Sequence, residues 1–402
     1  MSAAATADHS LQAAAAASSD LRTRARSAAA VAAQHAADID RAARFPAEAF
    51  AALKAQRLLS ILVPEALGGD GHGLREVSEV CYQLGQACAS TGMIYAMHHI
   101  KVACLVRHMG GRPALERLLR KLCAEQLLLA SSTTEGQGGG DVRSSEAPLL
   151  QHEDRISLER RASVISYGAY ADGIVTTARR SSEAAASDQV LVAFLKSDYT
   201  LAPLQGWKTL GMRGTCSEGY VLKASGTADQ VLPQPYESIH TQTMVPFAHL
   251  LWGSVWMGIA ASATARAQAF IRQAMRRGEG RLPPGAPCFT RALASLNALR
   301  GTLATAMQTY ERHADDPRAL ASLEFQSMIT LTKVEASELA VAIVMNALRA
   351  CGLSGYRTDS EFSIERHLRD VLSSPLMINN ERILSSLSAS ALLAPIPATV
   401  RD

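Results

Sequence analysis

The sequence predicts a mainly α protein with a central β domain: an N-terminal helical domain, an antiparallel, β-barrel-like middle domain and a C-terminal four-helix bundle. Three observations carry this fold class. Apolar residues recur at three- and four-residue spacing from about 20 to 130 and again after about 245, the period of amphipathic helices. Between about 130 and 235 the pattern contracts to short runs rich in Val, Ile, Thr and Tyr, bounded by Gly, Ser and Asp, as strands and their turns require. A chain of 402 residues with 48% hydrophobic content can bury a core of several layers.

Residues 1–20 are rich in Ala and Ser and read as a flexible tail leading into a first helix. They lack the basic stretch followed by a strongly apolar one that marks a signal peptide. The N-terminal helical domain is placed at 21–129, where "FPAEAFAALKAQRLL" and "LREVSEVCYQLGQACASTGMIYAMHHIKVACLVRH" carry the helical period and "VPEALGGDGHG" punctuates them. The β domain is placed at 130–240 on "ASVISYGAYADGIVTTARR", "DQVLVAFLK" and "GYVLKASGTADQVL". The bundle domain, 241–402, contains four helical units that begin at "HLLWGSVWMG", "RALASLNALRG", "LEFQSMITLTK" and "RHLRDVLSSPL", with the Pro/Gly loop "GEGRLPPGAPCFT" after the first.

Charged residues make up 19% of the chain and the net charge is +3 without basic runs, which is not the footprint of a nucleic-acid binder. The most apolar stretch, around 253–265, is interrupted by Ser254, Ser262 and Thr264, so no membrane span is expected. Seven cysteines are scattered with no CxxC pair and no histidines at ligand spacing; this predicts packed thiols, no metal and a reducing, cytoplasmic setting.

Several local strings bear on chemistry. "EGQGGGD" is a Gly-rich loop leaving a strand, where backbone N–H groups can approach ligand oxygens closely. Glu365, Arg366, Arg369 and Asp370 in "ERHLRD" have the spacing of ion pairs along a helix. His98 and His99 are adjacent and so point to different helix faces, a poor arrangement for a metal. Trp252 and Trp256 share one face of a helix, and Trp207 reads equally as core or as cover for a ligand.

In this order, "LLSILVPEALGGDG", "SSTTEGQGGGDVRSS", "GMRGTCSEGYVL" and "CGLSGYRTDSEFSIERHLRD" resemble strings of the acyl-CoA dehydrogenase superfamily of flavoproteins, over about 40–395. The resemblance implies FAD, with hydroxyls at Thr134 and Ser166 on the isoalloxazine ring, and Ser132 and Val164 beside them. It also implies polar contacts from Arg213, and from Arg281 and Arg349 on the adenylate side. Substrate contacts fall to His98, Trp252 and Gly140, the last standing where the family has a serine that touches acyl-CoA. A tetramer or dimer and an electron-transfer flavoprotein are the implied partners, and the implied reaction is α,β-dehydrogenation of an acyl-thioester, with hydride transfer to FAD.

That reaction needs a base for the proton next to the thioester, usually a Glu shortly after the Arg-Asp pair and just ahead of Gly-Thr. Here Ile378 stands in its place, followed by Asn379 and Asn380. Glu381, one turn further on, and His249, near where a minority of the family supplies a base, are the candidates. Two alternatives stay open: a monooxygenase of the same superfamily, using reduced FMN or FAD from a partner reductase, and a non-catalytic acyl- or flavin-binding protein.

Overall fold

The computed structural model describes residues 2–135 and 142–392. Helix α1 (Ser2–Ala42) takes in the stretch read as a tail, in keeping with the helix propensity of its alanines. From Leu21 on, Ala25, Ala28, Ala32, Ala36 and Ile39 form a buried stripe at three- and four-residue spacing. Helices α2 (Ala47–Ala55), α3 (Leu74–Ala87), α4 (Ala89–His108) and α5 (Pro113–Glu125) complete the first domain. The start of α3 is closed by the Glu76 carboxylate, which accepts the Gly73 N–H at 3.0 Å.

The middle domain holds β1 (Leu129–Ser132), β2 (Leu150–His152), β3 (Arg155–Ile165), β4 (Gly173–Arg179), β5 (Gln189–Leu195), β6 (Tyr199–Gln205) and β7 (Glu218–Thr227). They form two sheets, ordered β1-β4-β5 and β2-β3-β7-β6. Along β3 exposed and buried residues alternate, the period of a strand with one face on a core. One pair departs from the antiparallel expectation. β1 runs parallel to β4, Leu129 opposite Gly173, which the long excursion through β2 and β3 allows.

The third domain begins with α6 (Tyr236–Ile239), widens into a π turn over His240–Met244 and continues as α7 (Val245–Arg277). This continuous run is long and apolar enough to cross a membrane, which the sequence reading did not expect, but it is buried within the fold. It packs with α8 (Ala286–His313) and α10 (Leu323–Cys351), with the short α9 (Pro317–Ala321) and α11 (Leu353–Tyr356) at the turns. The fourth unit is broken. It consists of α12 (Glu365–Val371) and α13 (Asn380–Ala391), joined by a loop that contains Pro375 and ends with Ile378 and Asn379 at φ 54° and 30°.

The three domains meet at α12. Arg369 reaches Asp40 of α1 and donates to the Leu210 carbonyl at 2.9 Å, while Asp370 accepts the Met212 N–H at 2.7 Å. This approach needs a glycine: a Cβ on Gly211 would lie 2.0 Å from the Arg369 carbonyl oxygen, whereas one on Gly206, in the same loop, would meet nothing. Gly211→Ala is therefore expected to destabilise by about 1–3 kcal/mol, as overpacking does. Gly206→Ala is expected to leave the melting temperature within a degree or so of the parent. Equal losses in the two variants, measured by thermal unfolding, would refute the close-approach explanation.

Burial pushes the buried Asp370 carboxyl up to about 6, with Asp40 adding to the rise; the Met212 N–H and the neighbouring Arg366 and Arg369 oppose it. Because the folded value lies above the unfolded one, Asp370 favours the fold most below pH about 4, and that contribution is lost as pH rises through about 6. Asp370→Asn keeps an acceptor for Met212 and should flatten this part of the stability profile. Its melting temperature relative to the parent should rise from pH 4 to pH 7.

Candidate active site

Where the β domain faces the first domain and the bundle there is a cavity of about 830 Å³. Its β-domain wall is polar: Ser131, Thr133, Thr134, Ser163, Ser166 and Ser217 line it, together with Val164. The hydroxyls are ordered by one another. Thr215 and Ser217 lie 2.8 Å apart, and Ser217 donates to Ser166 at 2.8 Å, so Ser166 keeps its own proton for an acceptor in the cavity. Trp207 closes this side, its indole N–H donating to the Met212 carbonyl at 3.2 Å.

The opposite walls are apolar. Met93, Met97 and Lys101 of α4 stand at four-residue spacing, with Ile100 beside them. The π turn and α7 contribute His240, Met244, Val245, Ala248, His249 and Trp252. Leu376, Met377, Ile378 and Asn379 come from the break between α12 and α13.

His249 is held by the Ile329 carbonyl, 3.1 Å from Nδ1. A carbonyl only accepts, so Nδ1 carries the proton and Nε2 is left with its lone pair. Burial lowers the imidazole to about 3, which makes His249 a hydrogen-bond acceptor and a weak base. Lys101 is buried, and burial lowers its ammonium to about 8.

Among the residues predicted from sequence, the cavity brings together Thr134, Ser166, Val164, Trp252, His249 and Ile378. Others lie elsewhere. Ser132 points away from the cavity because strand alternation gives the lining positions to Ser131 and Thr133; its hydroxyl is buried without a partner among the described residues. His98 is a core staple and not a substrate contact: it donates from Nε2 to the Leu59 carbonyl at 2.7 Å and accepts the Leu129 N–H on Nδ1 at 3.0 Å, tying α4 to β1. Burial lowers it to about 4, so it is neutral.

Arg213 lies in the turn beside the cavity and is not among its lining residues, while Arg281 and Arg349 are exposed on the bundle surface. Glu381 is exposed in the first turn of α13, outside the cavity, its N–H capped by the Asn379 side chain at 3.0 Å. Gly140 lies outside the described residues. Sequence reasoning missed Lys101, Met93, Met97 and the Thr215–Ser217 pair. The four-residue spacing on α4 was legible, but the same stripe serves equally well in a solid core.

A hydroxyl-lined wall facing an apolar one, at the meeting of a β domain and a helix bundle, suits the polar edge and flat body of a flavin ring. Thr134, Ser166 and Trp207 all line this part of the cavity. The fold and this cavity define an acyl-CoA dehydrogenase-like flavoprotein. The family models "Acyl-CoA dehydrogenase, N-terminal domain" and "Acyl-CoA dehydrogenase, C-terminal domain" match residues 16–126 and 250–373, and the chain belongs to the acyl-CoA dehydrogenase superfamily.

Among curated relatives, it is 25% identical over 370 residues to cyclohex-1-ene-1-carbonyl-CoA dehydrogenase of Geobacter metallireducens, covering 90% of this chain and 94% of that one. It is 26% identical over 361 residues to the amino sugar nitrososynthase DnmZ of Streptomyces peucetius, covering 85% and 84%. The FMN-bound structure of TdsC, a dibenzothiophene monooxygenase from Paenibacillus sp. A11-2, superposes with a TM-score of 0.82 over 94% of this chain and 98% of that one at 17% identity, a likeness of fold.

On the expectation that Ser166 holds the ring edge, its hydroxyl supplies one hydrogen bond, worth about 1 kcal/mol net. Ser166→Ala is expected to weaken FMN or FAD binding roughly fivefold, and Ser217→Ala to weaken it less, because Ser217 acts through Ser166. Glu381→Gln should leave binding and turnover at the parent level. Quenching of free flavin fluorescence checks the first two; a Glu381→Gln variant without turnover would return that residue to the list of bases.

Proposed function

We propose that this chain is a reduced-flavin-dependent monooxygenase acting on a small apolar substrate, with the reduced flavin supplied by a partner reductase. The observation that carries this reading is Ile378. Dehydrogenation requires a base within reach of the carbon next to the thioester, and the position that holds a carboxylate in most of the family presents a butyl side chain to the cavity. None of the described lining residues is a carboxylate. A reduced flavin supplies two electrons to dioxygen, so that one oxygen atom enters the substrate and the other leaves as water.

The chain's own part is placement and exclusion. Thr134 and Ser166 orient the ring edge, and the Met and Trp side chains of α4 and α7 keep water from the reacting face. His249 offers its Nε2 lone pair to a substrate N–H or O–H. On this reading the protein works in the cytoplasm as a homo-oligomer, for which the exposed Leu353, Tyr356 and Leu376 supply apolar surface.

The dehydrogenase reading is favoured by the full-length likeness to cyclohex-1-ene-1-carbonyl-CoA dehydrogenase. Two measurements separate them. Anaerobic mixing of flavin-loaded protein with acyl-CoAs from butyryl to palmitoyl is expected to leave the visible flavin absorbance unbleached. Oxygen uptake with a flavin reductase, NADH and FMN or FAD is expected to yield hydroxylated product from probes such as indole or dibenzothiophene. Bleaching by any acyl-CoA would overturn the monooxygenase assignment, and failure to bind either flavin would point to a non-catalytic binding protein.

A further inference from the structure

Among the described residues, Lys101 is a cation without an anion. It sits in the middle of α4, is 3% exposed and lines the cavity. Its ammonium lies 3.5 Å from the Met244 sulfur, a weak acceptor. The ionisable groups that act on it are Cys104, a buried thiol, and Arg160, a second cation. Arg160 is already engaged, 3.2 Å from Glu135, so that carboxylate serves Arg160. The other strong cation on the cavity wall, Arg369, is paired with Asp40 and Glu365.

An ammonium taken out of water with no counter-ion is costly, and the cavity gives it nothing negative among its described lining residues. The same cavity holds a second polar donor. Trp252, on the same cavity, keeps its indole N–H buried with no acceptor among the described residues. An ammonium whose one acceptor is a weak thioether and an indole N–H with none, against a methionine-rich, apolar wall, describe a ligand with an apolar body and an oxygen-rich acidic end.

We propose that Lys101 is a specificity-determining residue that binds the carboxylate of the substrate, and that the substrate is an apolar, preferably aromatic, monocarboxylic acid. One ammonium balances one negative charge, which fits a carboxylate better than a phosphate dianion. Met93, Met97 and Met244 favour an aromatic body through sulfur–ring contacts. The ion pair adds affinity because Lys101 is buried: the same Coulomb attraction is far weaker in water.

This inference rests on the cavity being the substrate site of the proposed enzyme, not on which reaction occurs there. It is tested by calorimetry on the full-length protein, flavin-free and flavin-loaded, at pH 7, with benzoate against benzamide and phenylacetate against phenylacetamide. The acids are expected to bind at least tenfold more tightly than their amides. Lys101→Met should abolish that preference while leaving amide affinity within about threefold, because the apolar contacts stay in place. Lys101→Arg should retain part of the preference.

Equal binding of acid and amide to the parent protein, or no heat from either acid at about 10 mM, overturns the proposal, whether or not Lys101→Met folds. A preference that persists undiminished in Lys101→Met also overturns it. These outcomes are independent of the oxygen-uptake and bleaching measurements. An acid preference in a protein that bleaches with acyl-CoA would uphold Lys101 and sink the monooxygenase reading.

Discussion

The rest of the structure hangs on the joint made by two consecutive residues of α12. Arg369 forks between Asp40 and the Leu210 carbonyl, and pairs with Glu365 one turn back at 2.6 Å; Asp370 turns the other way and takes the Met212 N–H. A partly buried, bidentate Arg–carboxylate pair carries geometric specificity that an exposed pair lacks. Holding Asp370 buried is a cost, since burial works against its ionised form. What the cost secures is position: one turn of helix fixes α1, the 206–212 loop and the start of the broken fourth unit against one another, and the last two are cavity walls.

The far end of that break is held just as firmly. Lys333, fully buried on α10, donates to the Ser374 carbonyl at 3.2 Å and to the Asn380 side-chain oxygen at 2.6 Å, and its ammonium lies 5.7 Å from the centre of the Trp256 ring. The Asn380 amide in turn donates to Ser337 and Glu338. Between these anchors Ile378 and Asn379 sit in the left-handed region, where a β-branched residue is strained by roughly 1–2 kcal/mol. Such a conformation persists when its surroundings over-determine it. The two joints do so, and the result is an isoleucine turned into the cavity at the position where the resemblance places a carboxylate.

The layout of helices, strands and bundle was legible because it is written in local periodicity, which survives without tertiary information. The joints were not. The spacing in "ERHLRD" predicts the Arg369–Glu365 pair, which is present, but Asp40 is 329 residues away and Met212 is 158, and neither separation has a sequence signature. The cavity was half legible for the same reason. Thr134, Ser166, Trp252 and Ile378 follow from matching strings, whereas Ser132 and His98 fail on the question of which way a side chain faces. A one-residue step on a strand exchanges Ser132 for Ser131 and Thr133, and His98 is spoken for by the backbone of Leu59 and Leu129.

The same physics that a dehydrogenase exploits acts here on groups of the opposite kind. A carboxylate in an apolar cavity has its proton affinity raised until it becomes a useful base near neutral pH. Imidazole and ammonium respond to the same burial by releasing protons more easily, as His249 and Lys101 do. A cavity with these groups and an isoleucine in place of the acid therefore offers lone pairs and donors, and among the described residues no carboxylate lines it to take a proton from carbon. On the proposed reading, its electrostatics favour a ligand that brings its own negative charge, and its chemistry draws its driving force from a cofactor and not from a side chain.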